Sequence, residues 1–398
     1  MKITFSRGTC SGAVSAPPSK SFLHRALLCG ALTAGSTVQN VIDSEDITAT
    51  KRCLSAMGAD ILGDRIGGLN PFEIPENLVL DCGQSGSTLR FLLPICLLSG
   101  KKVTLTGSKR LLERPLTVYE EICREQGIFF EKTDAYVTVC GRLQADNFLV
   151  DGGISSQFIS GLLFTLPLLS EDSTLMITGR IESAPYIAMT VQMLKKFNIK
   201  IEKIGESCYR IPGKQTYNPQ NIVVEGDFSN AAYLLAWNVL GGKVEVTGLP
   251  EETAQGDAIF PLYFDKLRQD SPILDVSDCP DLAPILFALA GILHGATFTG
   301  TKRLRLKESD RVAAMKEELR RFGIELRDGE NEVVIPNGNP HAPTEPLWGH
   351  NDHRIVMALS LLCGRFGGTI SGAEAVNKSF PDFFDKLKSM DVTYNIEE

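Results

Sequence analysis

Lys20, Arg25, Arg114, Lys307, Arg311, Arg354 and Lys378 stand in short polar segments: SKSFLHR from Ser19, ERP at Glu113–Pro115, LKESDR at Leu306–Arg311, NDHR at Asn351–Arg354 and NKSFPD from Asn377. Ammonium and guanidinium groups hold phosphates and carboxylates through charge-assisted hydrogen bonds. Ser, Gly and Asn at a helix start offer side chains and open N–H groups to the same ligands. Two carboxyls, Asp281 and Glu308, fall in the same kind of loop and can move protons. Taken singly, each signal has a plain structural reading. Ser-Lys-Ser is a helix cap, Lys307–Arg311 a solvated charged face, and His353 a hydrogen-bonded structural histidine. Arg90 is odder, because a guanidinium on an apolar helix must find an anionic partner. Together these cations point to a polyanionic ligand.

What positions them is a repeat. Apolar helices open at Ser19, Ser85, Ser155, Ser229, Pro280 and Asn351. Each is followed by a strand, and these end at Gly107, Gly179, Gly248, Gly300 and Gly372, whereas the first copy is degenerate and reads STVQN over Ser36–Asn40. Polar loops and amphipathic helices such as RVAAMKEELRRFGIE follow. A period of roughly 50 to 75 residues suits a β-α-β-α-β-β module. Three modules per domain are expected, with the apolar opening helices central and sheets packed around them.

Bulk properties agree. A chain of 398 residues exceeds one ordinary core and predicts two domains. The start MKITFSRGTCSG lacks the apolar core of a signal peptide, and no apolar run reaches membrane-spanning length. The 10 cysteines are scattered without metal-ligand spacing, which fits a reducing cytoplasm and core packing and argues against a structural metal. A net charge of −8 disfavours nucleic acid or an anionic membrane as partner, while leaving small anions open.

The ordered motifs SKSFLHR, GQSGSTLR, ERP, SSQFISGLL, ESAPYI, EGDFS, PD, LRLKESDR, NDHR and KSFPDF carry a resemblance. From Ser19 to about Met390 the chain resembles the 5-enolpyruvylshikimate-3-phosphate synthase family of enolpyruvyl transferases. The resemblance implies an α/β fold of two similar domains, an inside-out arrangement of three modules each. Residues 1–18 would join 226–398, residues 19–225 would form the other domain, and crossovers near 13–21 and 224–228 would let the halves close on ligands. The implied reaction moves the enolpyruvyl group of phosphoenolpyruvate to the 5-hydroxyl of shikimate 3-phosphate, without metal or cofactor, in a cytoplasmic monomer.

By the same resemblance, Lys20 would touch both substrates. Ser21, Arg25, Ser155, Ser156, Gln157, Ser183, Tyr186, Asp281, Arg303 and Lys307 would hold shikimate 3-phosphate. Gly86, Arg114, Gln157, Arg311, Arg354 and Lys378 would grip phosphoenolpyruvate. Asp281 would take the proton of the attacking hydroxyl, with Glu308 and Lys20 as the other proton-transfer groups. Gln84 stands where the family usually has Asn, and Phe91 where many relatives have Pro, departures that bear on glyphosate sensitivity more than on the reaction. Three alternatives differ in readable ways. The sister family that uses UDP-N-acetylglucosamine has Lys-Asn in place of Lys20-Ser21 and a reactive Cys in the loop that here reads GSKRLLERP. RNA 3′-phosphate cyclase, built from related modules, would favour a nucleotidyl-accepting His and a more basic surface. A non-catalytic anion binder on the same scaffold would lack Asp281 or Glu308.

Overall fold

The computed structural model describes residues 1–397 and separates them into two compact units: Met1–Pro17 with everything from Gly226 onward, and Pro18–Glu225. In the second unit each of three sheets has four strands in one pattern. Leu78–Asp81 runs parallel to Val103–Thr106, which pairs antiparallel with Tyr136–Cys140, itself antiparallel to Phe129–Lys132. Asn147–Asp151, Ser173–Thr178, Cys208–Ile211 and Glu202–Lys203 repeat that arrangement. The remaining sheet starts with Asn221–Val223, recruited from the end of the unit to lie beside Ser36–Gln39.

The opening helices of this unit are Lys20–Ala31, Gly86–Cys96 and Ser156–Thr165, and nearly every residue in each is buried. They are apolar on all sides, so only a position enclosed by sheets removes their surface from water. Their mutual approach is close: a side chain on Gly161 would collide with the Tyr119 hydroxyl and the Arg90 carbonyl. The Tyr119 hydroxyl donates to that same Arg90 carbonyl at 2.5 Å. Gly161→Val therefore destabilises the protein by about 3 kcal/mol, read from the urea midpoint. An unchanged midpoint would show that the helices can part at no expense.

Four of the five glycines that end these strands share a conformational cause. Gly179, Gly248, Gly300 and Gly372 all carry φ between 67° and 84°, where the chain turns out of the strand into the loop. The first copy reaches the same conformation with Asn40, φ 59°, whose side chain donates to the Val224 carbonyl at 2.7 Å. Asn is the side chain that best tolerates this region, so the copy that reads as degenerate keeps its turn and its four-stranded sheet.

In the other unit, Ile273–Asp275, Ala296–Thr299, Glu332–Ile335 and Arg327–Asp328 form a complete sheet. The last sheet begins with Leu347–Trp348 and Gly368–Ser371 and is completed by Lys2–Phe5 and Tyr394–Glu397, so both chain ends share it. The fourth module departs from the expected pattern. Among the described residues, Lys243–Thr247 pairs only with Ser11–Ser15. Its outer helix Phe260–Gln269 is followed almost at once by Ile273–Asp275, leaving no chain for the final hairpin. The central helices here are Phe228–Val239, Ala283–Ile292 and His353–Phe366. No helix among the described residues is long and apolar enough to cross a membrane.

Candidate active site

In the unit formed by residues 18–225, the first opening helix carries Lys20, Ser21 and Arg25 within its first two turns. Ser19 precedes that helix but makes no side-chain cap bond, and its buried hydroxyl has no hydrogen-bond partner among the described residues. Ser19 is thus not the cap that Ser-Lys-Ser suggested. The Lys20 ammonium donates to Asp46 at 2.7 Å. Asp46 lies in the first turn of the helix Glu45–Ala56 behind a Ser44 cap, where an acid also complements the helix dipole. Arg25 is buried, and burial lowers its pKa to about 10. Its guanidinium donates to the Ser21 carbonyl (2.6 Å), the Tyr186 carbonyl (3.0 Å) and Thr190 Oγ1 (2.8 Å), and it lies 5.3 Å from the Phe91 ring centre. Arg25 therefore ties the first opening helix to the helix Ala184–Lys196. Phe91 supports it from below and packs edge-on to Phe164 at 5.2 Å.

A second group gathers at the start of Gly86–Cys96. Ser85 caps the helix by accepting from Thr88 N at 3.1 Å. A Cβ on Gly86 would lie 2.6 Å from Arg114 Nη1 and 2.9 Å from Arg90 Nη1, so the two guanidiniums converge there on a residue that can have no side chain. Arg90 Nη1 donates to Gln157 Oε1 at 2.7 Å, and Gln157 Nε2 donates to Ser87 at 3.0 Å. Arg90 Nη2 reaches the Pro115 carbonyl at 3.2 Å, and the guanidinium lies 5.1 Å from the Phe158 ring centre. Gln157 itself begins the Ser156–Thr165 helix, where Ser155 caps Gln157 N at 3.3 Å. Ser183 sits at the start of the next helix with φ 59°, a strained conformation for a non-glycine residue. The sequence marks Arg90 as an odd cation on an apolar helix without assigning it a role. Its company explains it, since it orients Gln157 beside Gly86.

In the other unit the cations converge on Asp281, at the start of Ala283–Ile292. Asp281 Oδ1 accepts from Arg311 Nη1 at 2.7 Å and lies 3.6 Å from the Lys307 ammonium; Oδ2 accepts from Arg354 Nη2 at 3.2 Å. Burial would raise the Asp281 pKa, but Lys307, Arg354 and Arg311 outweigh it and hold the carboxyl well below its ordinary value. Arg311 is enclosed, at 1% exposure, and its other donors go to Asp352 Oδ2 (2.9 Å) and Glu308 Oε2 (3.1 Å). The run Lys307–Arg311 is thus not a solvated face. Arg354 donates to Asn230 Oδ1 (2.8 Å) and Ser229 Oγ (2.6 Å) and lies 5.5 Å from the Tyr233 ring centre. Asp227 orders Ser229 in turn, accepting its hydroxyl proton at 2.7 Å.

Lys307 is pushed down to about 8, chiefly by burial, with Asp281 opposing that change. Arg303, on the turn Lys302–Leu306 just before it, adds to the depression by like charge. Lys378 ends a similar turn, Ala373–Lys378, and its ammonium donates to the Asn351 carbonyl. The unit therefore brings Asp281, Lys307, Glu308, Arg311, Arg354 and, through Asn351, Lys378 into one neighbourhood. Asp352, Asn230 and Ser229 were legible only as helix-start residues, and nothing in their spacing distinguished them from plain caps.

Chemically, the arrangement offers fixed positive charge for anions, a carboxylate among the cations, and a second carboxyl across Arg311. That combination suits addition and elimination on a phosphorylated substrate.

Comparison with known proteins agrees. Residues 6–269 and 266–387 match the family described as EPSP synthase (3-phosphoshikimate 1-carboxyvinyltransferase). A protein named 3-phosphoshikimate 1-carboxyvinyltransferase from Clostridium kluyveri is 38% identical over 408 residues, covering 95% of each chain. One of that name from Clostridium perfringens is 37% identical over 416 residues, covering 98% of each. Among solved structures, EPSP synthase from Acinetobacter baumannii superposes with a TM-score of 0.77 at 21% identity over 100% of both chains. The enolpyruvyl transferase NikO from Streptomyces tendae gives 0.76 at 16% identity, over 99% of this chain and 98% of that one. At those identities the structural likeness speaks for the fold.

Proposed function

This chain belongs to the EPSP synthase family, and from that premise we propose that it transfers the enolpyruvyl group of phosphoenolpyruvate to the 5-hydroxyl of shikimate 3-phosphate, releasing phosphate. The observation that carries the reading is Asp281 held among Arg311, Arg354 and Lys307, with Glu308 on the same guanidinium. The acceptor hydroxyl loses its proton to Asp281 as its oxygen bonds to carbon 2 of phosphoenolpyruvate. The methylene carbon gains a proton from Glu308 or Lys20. The tetrahedral adduct then loses phosphate and a methyl proton, restoring the double bond on the transferred group. Atoms and charges balance without any redox step.

Arg311, Arg354, Lys378, Arg114 and the Gly86 helix start hold the carboxylate and phosphate of phosphoenolpyruvate. Ser21, Ser155, Ser156, Gln157, Ser183, Tyr186, Arg303 and Lys307 hold shikimate 3-phosphate, and Arg25 acts on that substrate by ordering Ser21 and Tyr186. Lys20, oriented by Asp46, serves both. In this reading the enzyme works as a monomer in the cytoplasm. The Lys20-Ser21 pair and the absence of Cys in GSKRLLERP favour this acceptor over UDP-N-acetylglucosamine.

The test is product formation from phosphoenolpyruvate with each acceptor in turn, read by the vinyl proton signals of the transferred group. Signals with shikimate 3-phosphate alone support the proposal. Signals with UDP-N-acetylglucosamine alone transfer the chain to the sister reaction. Binding of both substrates without product makes it an anion binder.

Lys307 adds a pH dependence. Its charged form is required for anion binding and is lost as pH rises through about 8. KM for shikimate 3-phosphate therefore climbs above that pH, and Lys307→Arg moves the limb out of range. The sign for stability is opposite. The folded pKa is depressed, so the penalty of the buried charge applies in full below about 8. It is relieved as pH rises toward the ordinary lysine value of 10.5. A KM flat to pH 10 would contradict the assignment.

A further inference from the structure

Glu318 lies on the helix Arg311–Arg321, two turns beyond Arg311, and is completely buried. A buried carboxylate needs donors or a counter-charge, and three groups converge on it. His350 Nε2 is 2.9 Å from Oε1, Trp348 N donates to Oε2 at 3.2 Å, and Arg321 Nε lies 3.4 Å from Oε2. Two of the three come from the segment that runs directly into Asp352 and Arg354.

That segment has an unusual backbone. His350 and Asn351 carry φ of 49° and 50°, consecutive left-handed residues of which neither is glycine. Each costs about 1 kcal/mol or more and persists only where neighbours over-determine it. Four anchors do so: Glu318 on the His350 side chain, Lys378 on the Asn351 carbonyl, the Ser371 carbonyl accepting from Gly349 N at 2.8 Å, and the Gly349 carbonyl accepting from Asp352 N at 2.9 Å. The turn delivers the Asp352 carboxylate between Arg311 Nε and Arg354 N, at 2.9 Å from each.

We infer that Glu318 and His350 form a positioning pair that sets the Asn351–Asp352 turn, and through it the orientation of Lys378 and Arg311 toward phosphoenolpyruvate. Glu317, Glu318 and His350 also bring potential metal-ligand atoms within 4.8 Å of one another. The Arg321 guanidinium, 3.4 Å from both Glu317 and Glu318, already holds the place a cation would take. The group is an anchor built around a buried anion, not a metal cage. It touches no reacting atom; its effect passes through the backbone.

This inference rests on the proposed role of Lys378 and Arg311, so the experiment includes a control for that role. Glu318→Gln, His350→Gln, the double variant and Lys378→Met are compared with the parent in steady-state kinetics. Each substrate is varied with the other saturating, after thermal melting has shown each variant folded. Glu318→Gln and His350→Gln each raise KM for phosphoenolpyruvate about tenfold, with kcat and KM for shikimate 3-phosphate changing less than about threefold. The double variant is no worse than the worse single one, because both break the same link. If Glu318→Gln does not fold, His350→Gln carries the test, since its side chain keeps 19% exposure and its loss uncovers less.

Unchanged KM in the folded variants, or equal changes for both substrates, overturns the inference, provided that Lys378→Met itself raises KM for phosphoenolpyruvate. If Lys378→Met does not, it is the proposed anion site that has failed.

Discussion

Asp281→Asn lowers kcat by about a thousandfold while leaving shikimate 3-phosphate bound nearly as well as before. The substitution keeps the size of the side chain and removes its capacity to take a proton. It also removes a negative charge from among Arg311, Arg354 and Lys307. An anion there competes with phosphoenolpyruvate for those same cations, so the variant binds this substrate no more weakly than the parent. The loss must therefore appear in kcat, and KM for phosphoenolpyruvate stays level or falls. Single-turnover kinetics together with equilibrium binding separate the two. Near-normal turnover would take the proton-accepting role away from Asp281.

Arg311→Met has the second large effect, on stability as much as on rate. The guanidinium sits at 1% exposure against Asp281, Asp352 and Glu308 at 2.7, 2.9 and 3.1 Å. Its removal takes the cationic partner from the buried Asp352 carboxylate, while Asp281 keeps Arg354 and Lys307, and losses of this kind run to about 3–5 kcal/mol. Asp352 suffers most, because it is fully buried and Arg311 bonds it directly. Urea unfolding shows the drop. Adding Asp352→Asn to the variant recovers part of the stability and none of the activity. Arg311→Lys keeps the charge but loses the fork that spans three carboxylates, so its stability is intermediate and its rate still low. A single variant within 1 kcal/mol of the parent would mean that the carboxylates find other partners.

Much of the fold is legible in the sequence. The helix openings and Thr-Gly ends exposed the repeat, because an all-round apolar helix can only be central and a left-handed turn selects Gly. Cations at equivalent ends of the repeats then pointed to the anion-binding chemistry we propose.

What was hidden depended on contacts between distant positions. Asn40 hid an intact turn behind a missing Gly, and the hairpin missing after Gln269 could not be told from a short loop. Ser19 looked like a cap and is not one. Asp46, Asp352 and Glu318 hid for a shared reason: an acid near a helix start, or one among several on an amphipathic helix, has many ordinary explanations. Only the partner distinguishes it. Lys20 for Asp46, Arg311 for Asp352 and His350 for Glu318 are brought there by packing rather than by spacing.

The central claim is that this chain joins phosphoenolpyruvate to shikimate 3-phosphate. Phosphate release from phosphoenolpyruvate by the purified protein, measured with and without shikimate 3-phosphate, tests it most directly. The account predicts release only when both are present, in equal amount to the acceptor consumed. No release with both, or release that needs UDP-N-acetylglucosamine instead, would contradict it.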